Sequence, residues 1–83
     1  MPQPQLRIRL GSAIAEKTGH AYITLPKQDN MTASQLRNEL SSMYPEVQTL
    51  INMAVIFANG SSLTEDDPVP EGEIVVLNPV AGG

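Results

Sequence analysis

The chain has no cysteine and no tryptophan, and its 83 residues include one histidine, His20, and one phenylalanine, Phe57. Without cysteine there can be no disulfide, no thiolate-held zinc or iron–sulfur cluster, and no thiol catalysis. His20 has no second histidine to share a metal ion with, and no partner in the sequence that would orient it as a general base. Beside Gly19 it reads as an exposed loop residue. Ser34, Ser41, Ser42, Ser61 and Ser62 fall in helix or turn contexts without a nucleophile-elbow motif. Gly60 and Gly72 are isolated turn glycines rather than a phosphate-binding loop. No catalytic set and no metal site emerges from these residues.

Basic residues are also scarce. Five of them, Arg7, Arg9, Lys17, Lys27 and Arg37, stand against nine acidic residues, for a net charge of −4. Scattered and outnumbered, they argue against nucleic acid, which needs clustered Lys and Arg. An acidic surface fits a partner protein with a basic docking face, or it serves solubility alone. No run approaches the roughly 20 apolar residues of a membrane span, and Met1-Pro2-Gln3-Pro4-Gln5 lacks the apolar run of a signal peptide. The expectation is a cytoplasmic protein, monomeric when isolated. A chain of this length holds one domain and buries roughly 60–65% of the surface its unfolded form exposes. Little interior is left for a buried active site, which favours a module that works with a larger partner.

The elements follow from periodicity. Leu6-Arg7-Ile8-Arg9-Leu10 alternates as a half-buried strand. Residues 11–19 are ambiguous, with Ala13, Ile14 and Ala15 placed to cover an edge of the core. Ala21 to Leu25 is a second strand, stopped by Pro26, and the two strands pair as a hairpin. Thr32 and Gln35 form a capping box, with Met31 and Leu36 at the staple positions. Ala33, Leu36, Leu40, Met43 and Tyr44 then line one helix face, and Arg37 and Glu39 point to water. Pro45 ends that helix. Residues 46–52 suit a short helical turn, and Met53 to Ala58 is long enough for a central strand. Asn59-Gly60 signals a type I′ turn, after which Ser61 to Thr64 pairs back. Glu65-Asp66-Asp67 is an exposed acidic loop, either solvated or paired with a partner. Met31, Met43 and Met53 fall at staple or core positions. Glu73 to Leu77 is a last strand whose consecutive apolar residues predict a central place, buried on both faces.

Strand, strand, helix, strand, short strand, strand is the order of a β-grasp fold in the α+β class, a mixed sheet packed on one main helix. Residues 1–78 form this domain and residues 79–83 a flexible tail ending in Gly82-Gly83. Pro79 stops the strand, Val80 gives one apolar anchor, and the side chains then vanish. Such a tail can pass a narrow channel and present its terminal carboxylate to another protein. A carboxylate is a poor electrophile until activated, for example as a mixed anhydride with AMP, after which sulfur or an amine can attack.

Several segments together resemble the ubiquitin-like sulfur carriers of the MoaD/ThiS family, closest to the small subunit of molybdopterin synthase. They are the opening strand, the capped helix ending near Tyr44-Pro45, Val55 to Asn59, Asp67-Pro68-Val69-Pro70-Glu71-Gly72, and the tail Pro79-Val80-Ala81-Gly82-Gly83. The chain departs from the family pattern where Gly11-Ser12 stands in place of an aromatic-Ala pair and Asn78 in place of the first of two prolines. The stretch from Gly72 to Gly83 is also one residue short. The resemblance implies that Gly83 is adenylated by a partner of the ubiquitin-activating-like class and becomes a thiocarboxylate, with Gly82 the slender element behind it. The carrier then docks on the large subunit of molybdopterin synthase and donates sulfur for the molybdenum cofactor. It would be a subunit that is not catalytic alone. It would bind no cofactor itself, the ATP being used by the activating enzyme. Pro79, Val80 and Ala81 would line the partner's channel. The sheet face away from the helix is the expected docking face, with Arg7 and Phe57 on it. Three alternatives remain: a carrier for thiazole (thiamine) or another pathway, a ubiquitin-like modifier joined through Gly83 to lysines, and a plain binding module.

Overall fold

The computed structural model describes residues 5–78. Strand β1 (Gln5–Leu10) alternates strictly between exposed and buried. Its partner β2 (Tyr22–Pro26) runs antiparallel, placing Leu25 opposite Leu6 and Ile23 opposite Ile8. The ambiguous segment between them is a helix, α1 (Ser12–Thr18), so the connection is longer than a simple hairpin loop. Ile14 anchors α1 in the core, and Gly19, at φ 78°, closes it by donating its N–H to the Ala15 carbonyl at 2.8 Å.

The main helix is α2 (Ala33–Met43). A helix leaves four N–H groups at its start without an intrahelical partner, and all four find one here. Thr32 N–H donates to Gln35 Oε1 at 2.9 Å, and Gln35 N–H to Thr32 Oγ1 at 3.3 Å, which is the predicted capping box. Ala33 N–H donates to the Asp67 carbonyl at 3.0 Å and Ser34 N–H to the Glu65 carbonyl at 3.1 Å. The acidic loop is therefore a clasp on the helix start through its backbone. The Asp67 carboxylate stays local and accepts from Thr64 N–H at 2.8 Å. Met31 and Leu36, the staple pair, are both buried.

Pro45 opens a single 3-10 turn (Pro45–Val47), and α3 (Gln48–Met53) follows it. Arg37 does not point to water. Its Nη1 donates to the carbonyls of Ile51 at 2.6 Å and Ala54 at 2.8 Å, and its Nε lies 3.0 Å from Glu65 Oε1. Because the carbonyls at the end of α3 face α2, Arg37 serves as a C-terminal cap across two helices. Glu39 is exposed, as expected. Met43 and Met53 are exposed as well, Met53 at 67%, which corrects their assignment to the core. Met53 ends α3 rather than opening a strand, because the chain first has to turn at Ala54.

Strand β3 (Val55–Ala58) turns at Asn59 (φ 54°) and Gly60 (φ 80°), the left-handed pair of a type I′ turn. The chain returns as β4 (Ser61–Ser62). The last strand, β5 (Gly72–Leu77), enters the middle of the sheet, parallel to β1 and antiparallel to β3, giving the order β2-β1-β5-β3-β4. Only one face of β5 is buried. Ile74 and Val76 are fully enclosed, while Val75 and Leu77 are half-exposed on the other side. The three helices stand on one face of this β-grasp, and the core of Leu6, Ile8, Ile14, Leu36, Leu40, Ile51, Ile56, Ile74 and Val76 fills the space between.

Candidate functional site

Strand alternation decides which side chains share the open face of the sheet. One row crosses all five strands as Tyr22, Arg9, Val75, Phe57 and Ser62. Beside it lie Thr24, Arg7 and Glu73, and on the other side Leu77 opposite Val55. Arg7 and Phe57 therefore both lie on this face, separated by β5. Phe57, Asn59, Gly60, Glu73, Val75 and Leu77 line a shallow depression there. The apolar floor of Phe57, Val75 and Leu77 is surface that the domain leaves uncovered.

The β1–β2 side of the face is cationic. The Arg7 guanidinium carbon sits 4.4 Å from the centre of the Tyr22 ring, and that of Arg9 6.0 Å away. Exposed contacts of this type stabilise by about 0.5–1 kcal/mol, enough to bias two long side chains toward one arrangement. Two arginines against one glutamate make the face mildly positive, although the chain carries −4. The acidic residues lie mostly elsewhere: Glu16 on α1, Glu39 on α2, Glu46 in the 3-10 turn, and Asp29, Glu65, Asp66, Asp67 and Glu71 in loops. An acidic surface calling for a basic docking partner is thus not what this face presents.

Gly83, Gly82, Ala81, Val80 and Pro79 lie outside the described residues. The structure does show where their segment begins, at the end of the central strand. Two contacts hold that end. Gly11 N–H donates to the Val76 carbonyl at 2.7 Å. A Cβ built on Gly11 would fall 2.8 Å from Leu77 Cβ and 2.9 Å from Leu77 Cα, so only glycine lets the two backbones approach this closely. From the other side, Asn78 Nδ2 donates to the Leu50 carbonyl of α3 at 2.8 Å. Asn78 Oδ1 is enclosed and has no hydrogen-bond partner among the described residues.

Gly11 and Asn78 stand out in the sequence only as odd residues. Their partners are far along the chain, and no periodicity connects them. Arg9 and Tyr22 were open to prediction, since alternation puts both on the face of Arg7. His20 is an exposed loop residue whose ring lies 6.2 Å from that of Tyr44. Among the described residues, no three His, Cys, Asp or Glu side chains stand close enough to share a metal ion, and no helix is long and apolar enough to cross a membrane.

The ThiS family matches residues 9–83 of the chain. Comparison with curated protein sequences gives no match. Among solved structures, SAMP1 of Haloferax volcanii superposes with a TM-score of 0.79 at 17% identity, over 95% of this chain and 99% of that one. A protein of Pyrococcus furiosus provisionally assigned as molybdopterin converting factor, subunit 1, gives a TM-score of 0.80 at 13% identity, over 94% and 100%. The ubiquitin of Caldiarchaeum subterraneum gives 0.65 at 17% identity, over 99% and 100%. At these identities the likeness is one of fold, and the fold is the ubiquitin-like β-grasp.

Proposed function

The chain belongs to the ThiS family, and from that premise we propose that it is a sulfur carrier whose reacting group, adenylated and then loaded with sulfur, is the carboxylate of Gly83. The observation that carries the reading is the family match, which spans residues 9–83 and so takes in the Gly-Gly end. The rigid root of the tail supports it, because a segment leaving the central strand starts from the best-held part of the sheet.

The chemistry balances without a catalytic group from this chain. A Gly83 carboxylate oxygen attacks the α-phosphorus of ATP in the partner's site. The α–β bond breaks, pyrophosphate leaves, and an acyl adenylate remains. A sulfur nucleophile at the hydrosulfide level then attacks the carbonyl carbon. The C–S bond forms, the bond to AMP breaks, and Gly83 is left as a thiocarboxylate. Gly82 lets the end pass a narrow channel, which Pro79, Val80 and Ala81 would line. The open sheet face docks on the adenylating enzyme and then on the sulfur acceptor, with Phe57 as its apolar anchor and Arg7 at its charged side.

For the pathway, molybdopterin is the first reading, with the large subunit of molybdopterin synthase as acceptor. The Pro79-Val80 tail and the likeness to the Pyrococcus furiosus protein support it. A second reading, a modifier joined through Gly83 to protein lysines, is favoured by the likeness to SAMP1 and to an archaeal ubiquitin.

Intact mass spectrometry of the protein purified with its native partners tests the proposal. The expected result is a mass gain matching one oxygen exchanged for sulfur, mapped to Gly83 and abolished when one residue is added after Gly83. An unmodified chain, with Gly83-linked remnants on lysines of other proteins, would replace the carrier by the modifier. Neither signal would leave a plain binding module.

A further inference from the structure

Strand β2 is one edge of the sheet, and at five residues it is longer than β4 at the other edge, which has two. Strand pairing fixes which of its backbone groups point outward. Leu10 N–H donates to the Ala21 carbonyl at 2.9 Å, so Leu10 and Ala21 are a hydrogen-bonded pair. Such pairs alternate with non-bonded ones along an antiparallel ladder. Ile8 with Ile23 and Leu6 with Leu25 are therefore bonded pairs too, and the N–H and C=O of Tyr22 and Thr24 point away from β1. Both residues are exposed, Tyr22 at 41%. An open edge is a template for a further strand unless proline, charge or a bulge blunts it. Pro26 does so only at the far end of β2, and Tyr22-Ile23-Thr24 stays open.

Two charges gather at the same edge. Arg7 stands between Thr24 of β2 and Glu73 of β5 in the register, yet its guanidinium lies over the Tyr22 ring, 4.4 Å from the centre. That of Arg9 approaches the same ring, at 6.0 Å. We propose that the β2 edge is a second docking site, taking an acidic, extended segment of a partner protein as an added strand. The proposal is independent of the chemistry of Gly83. Main-chain bonds to Tyr22 and Thr24 give affinity, and alternate side chains give selectivity. On the open face the added strand sets its side chains beside Tyr22 and Thr24, within reach of both guanidiniums, where carboxylates make charge-assisted hydrogen bonds. On the helix face its other side chains lie beside half-buried Ile23, which suits β-branched apolar residues. A second copy of this chain fits poorly, because pairing two β2 edges brings Arg7 and Arg9 of both copies together. The Phe57 depression is a separate place, since β3 lies three strands from β2, about 14 Å away.

The probe is a blocked peptide of about six residues, the length of a typical strand, alternating glutamate with valine. It is titrated into the isotope-labelled full chain and followed by amide NMR spectra, with a lysine–valine peptide as the charge control. The expected result is saturable binding of the glutamate peptide, with shifts centred on residues 22–25 and slowed hydrogen exchange at Tyr22 and Thr24. The lysine peptide should bind at least about tenfold more weakly, and Arg7→Gln combined with Arg9→Gln should remove that preference. Thr24→Pro deletes an outward N–H and leaves the β1 ladder intact, so it should weaken binding about tenfold or more. A glutamate peptide N-methylated along its backbone makes the same test on the unaltered protein and should not bind. Equal affinity for the two charge types overturns the acidic partner. Full binding by Thr24→Pro, or of the N-methylated peptide, overturns strand addition. Shifts confined to Phe57, Val75 and Leu77, or no saturable binding by wild type, overturn the site. A concentration-dependent dimer in sedimentation, lost in Thr24→Pro, makes a second copy the occupant and overturns the proposal.

Discussion

Arg37 acts through its shape as much as its charge. One guanidinium serves the carbonyls of Ile51 and Ala54 and still reaches Glu65, with only 13% of the side chain exposed. A lysine could place a charge there but not a planar fork. Charge-assisted hydrogen bonds contribute about 1.5–3 kcal/mol each, and bonds made by one group are not additive. Arg37→Ala should therefore lower unfolding stability by about 2–3 kcal/mol, read as a shift of the urea midpoint at unchanged slope. Glu65→Gln should cost less than about 1 kcal/mol, because the Glu65 side chain is 56% exposed and water screens the pair. Equal losses in the two variants would place the weight on the ion pair instead of the helix cap.

At the scale of elements, α2 shows how local and distant bonds divide the work. Thr32 and Gln35 satisfy two of the four starting N–H groups from within the helix, and the loop carbonyls of Asp67 and Glu65 take the other two. Thr32→Ala removes one side-chain acceptor and should cost about 1 kcal/mol, measured by thermal or urea unfolding. Far-ultraviolet circular dichroism should stay unchanged, since the clasp from residues 65–67 still holds the first turn. A melted helix in that variant would show that the box, not the clasp, starts α2. The β3–β4 turn is simpler, because Asn59 and Gly60 both take left-handed angles that few other pairs tolerate.

For the whole molecule, one face of the sheet is covered by helices and the other is left with an apolar centre and two arginines beside it. Under the proposed function this is the docking face. Aromatic anchors at the centre of an interface carry most of its energy, so Phe57→Ala should weaken binding to the adenylating enzyme by about 2 kcal/mol, roughly thirtyfold in Kd. Titration calorimetry at two ionic strengths should show that loss at both. The paired change Arg7→Ala with Arg9→Ala should lose less, and mostly at low salt, as screened charges do. An unchanged Kd for Phe57→Ala would move the docking surface off this face.

The sequence by itself determined most of the elements, because the signals are local. The alternation in β1, the capping box at Thr32, the stop at Pro45 and the turn at Asn59-Gly60 each lie within a few neighbouring residues. The β-grasp order followed from them, and so did the interest in Gly83, which lies outside the described residues. Only the tertiary structure decided what depends on distant partners. It made residues 12–18 a helix by giving Ile14 a core to enter, and it left Val75 and Leu77 half-open because the described residues put no second layer on that face. It turned Arg37 inward, because the end of α3 presents the carbonyls of Ile51 and Ala54 to α2. Net charge is a sum over the chain, while docking depends on where each charge stands, so an acidic protein carries a mildly basic sheet face. Gly11 and Asn78 are unremarkable in one dimension, and they acquire a role because folding brings both to the end of β5.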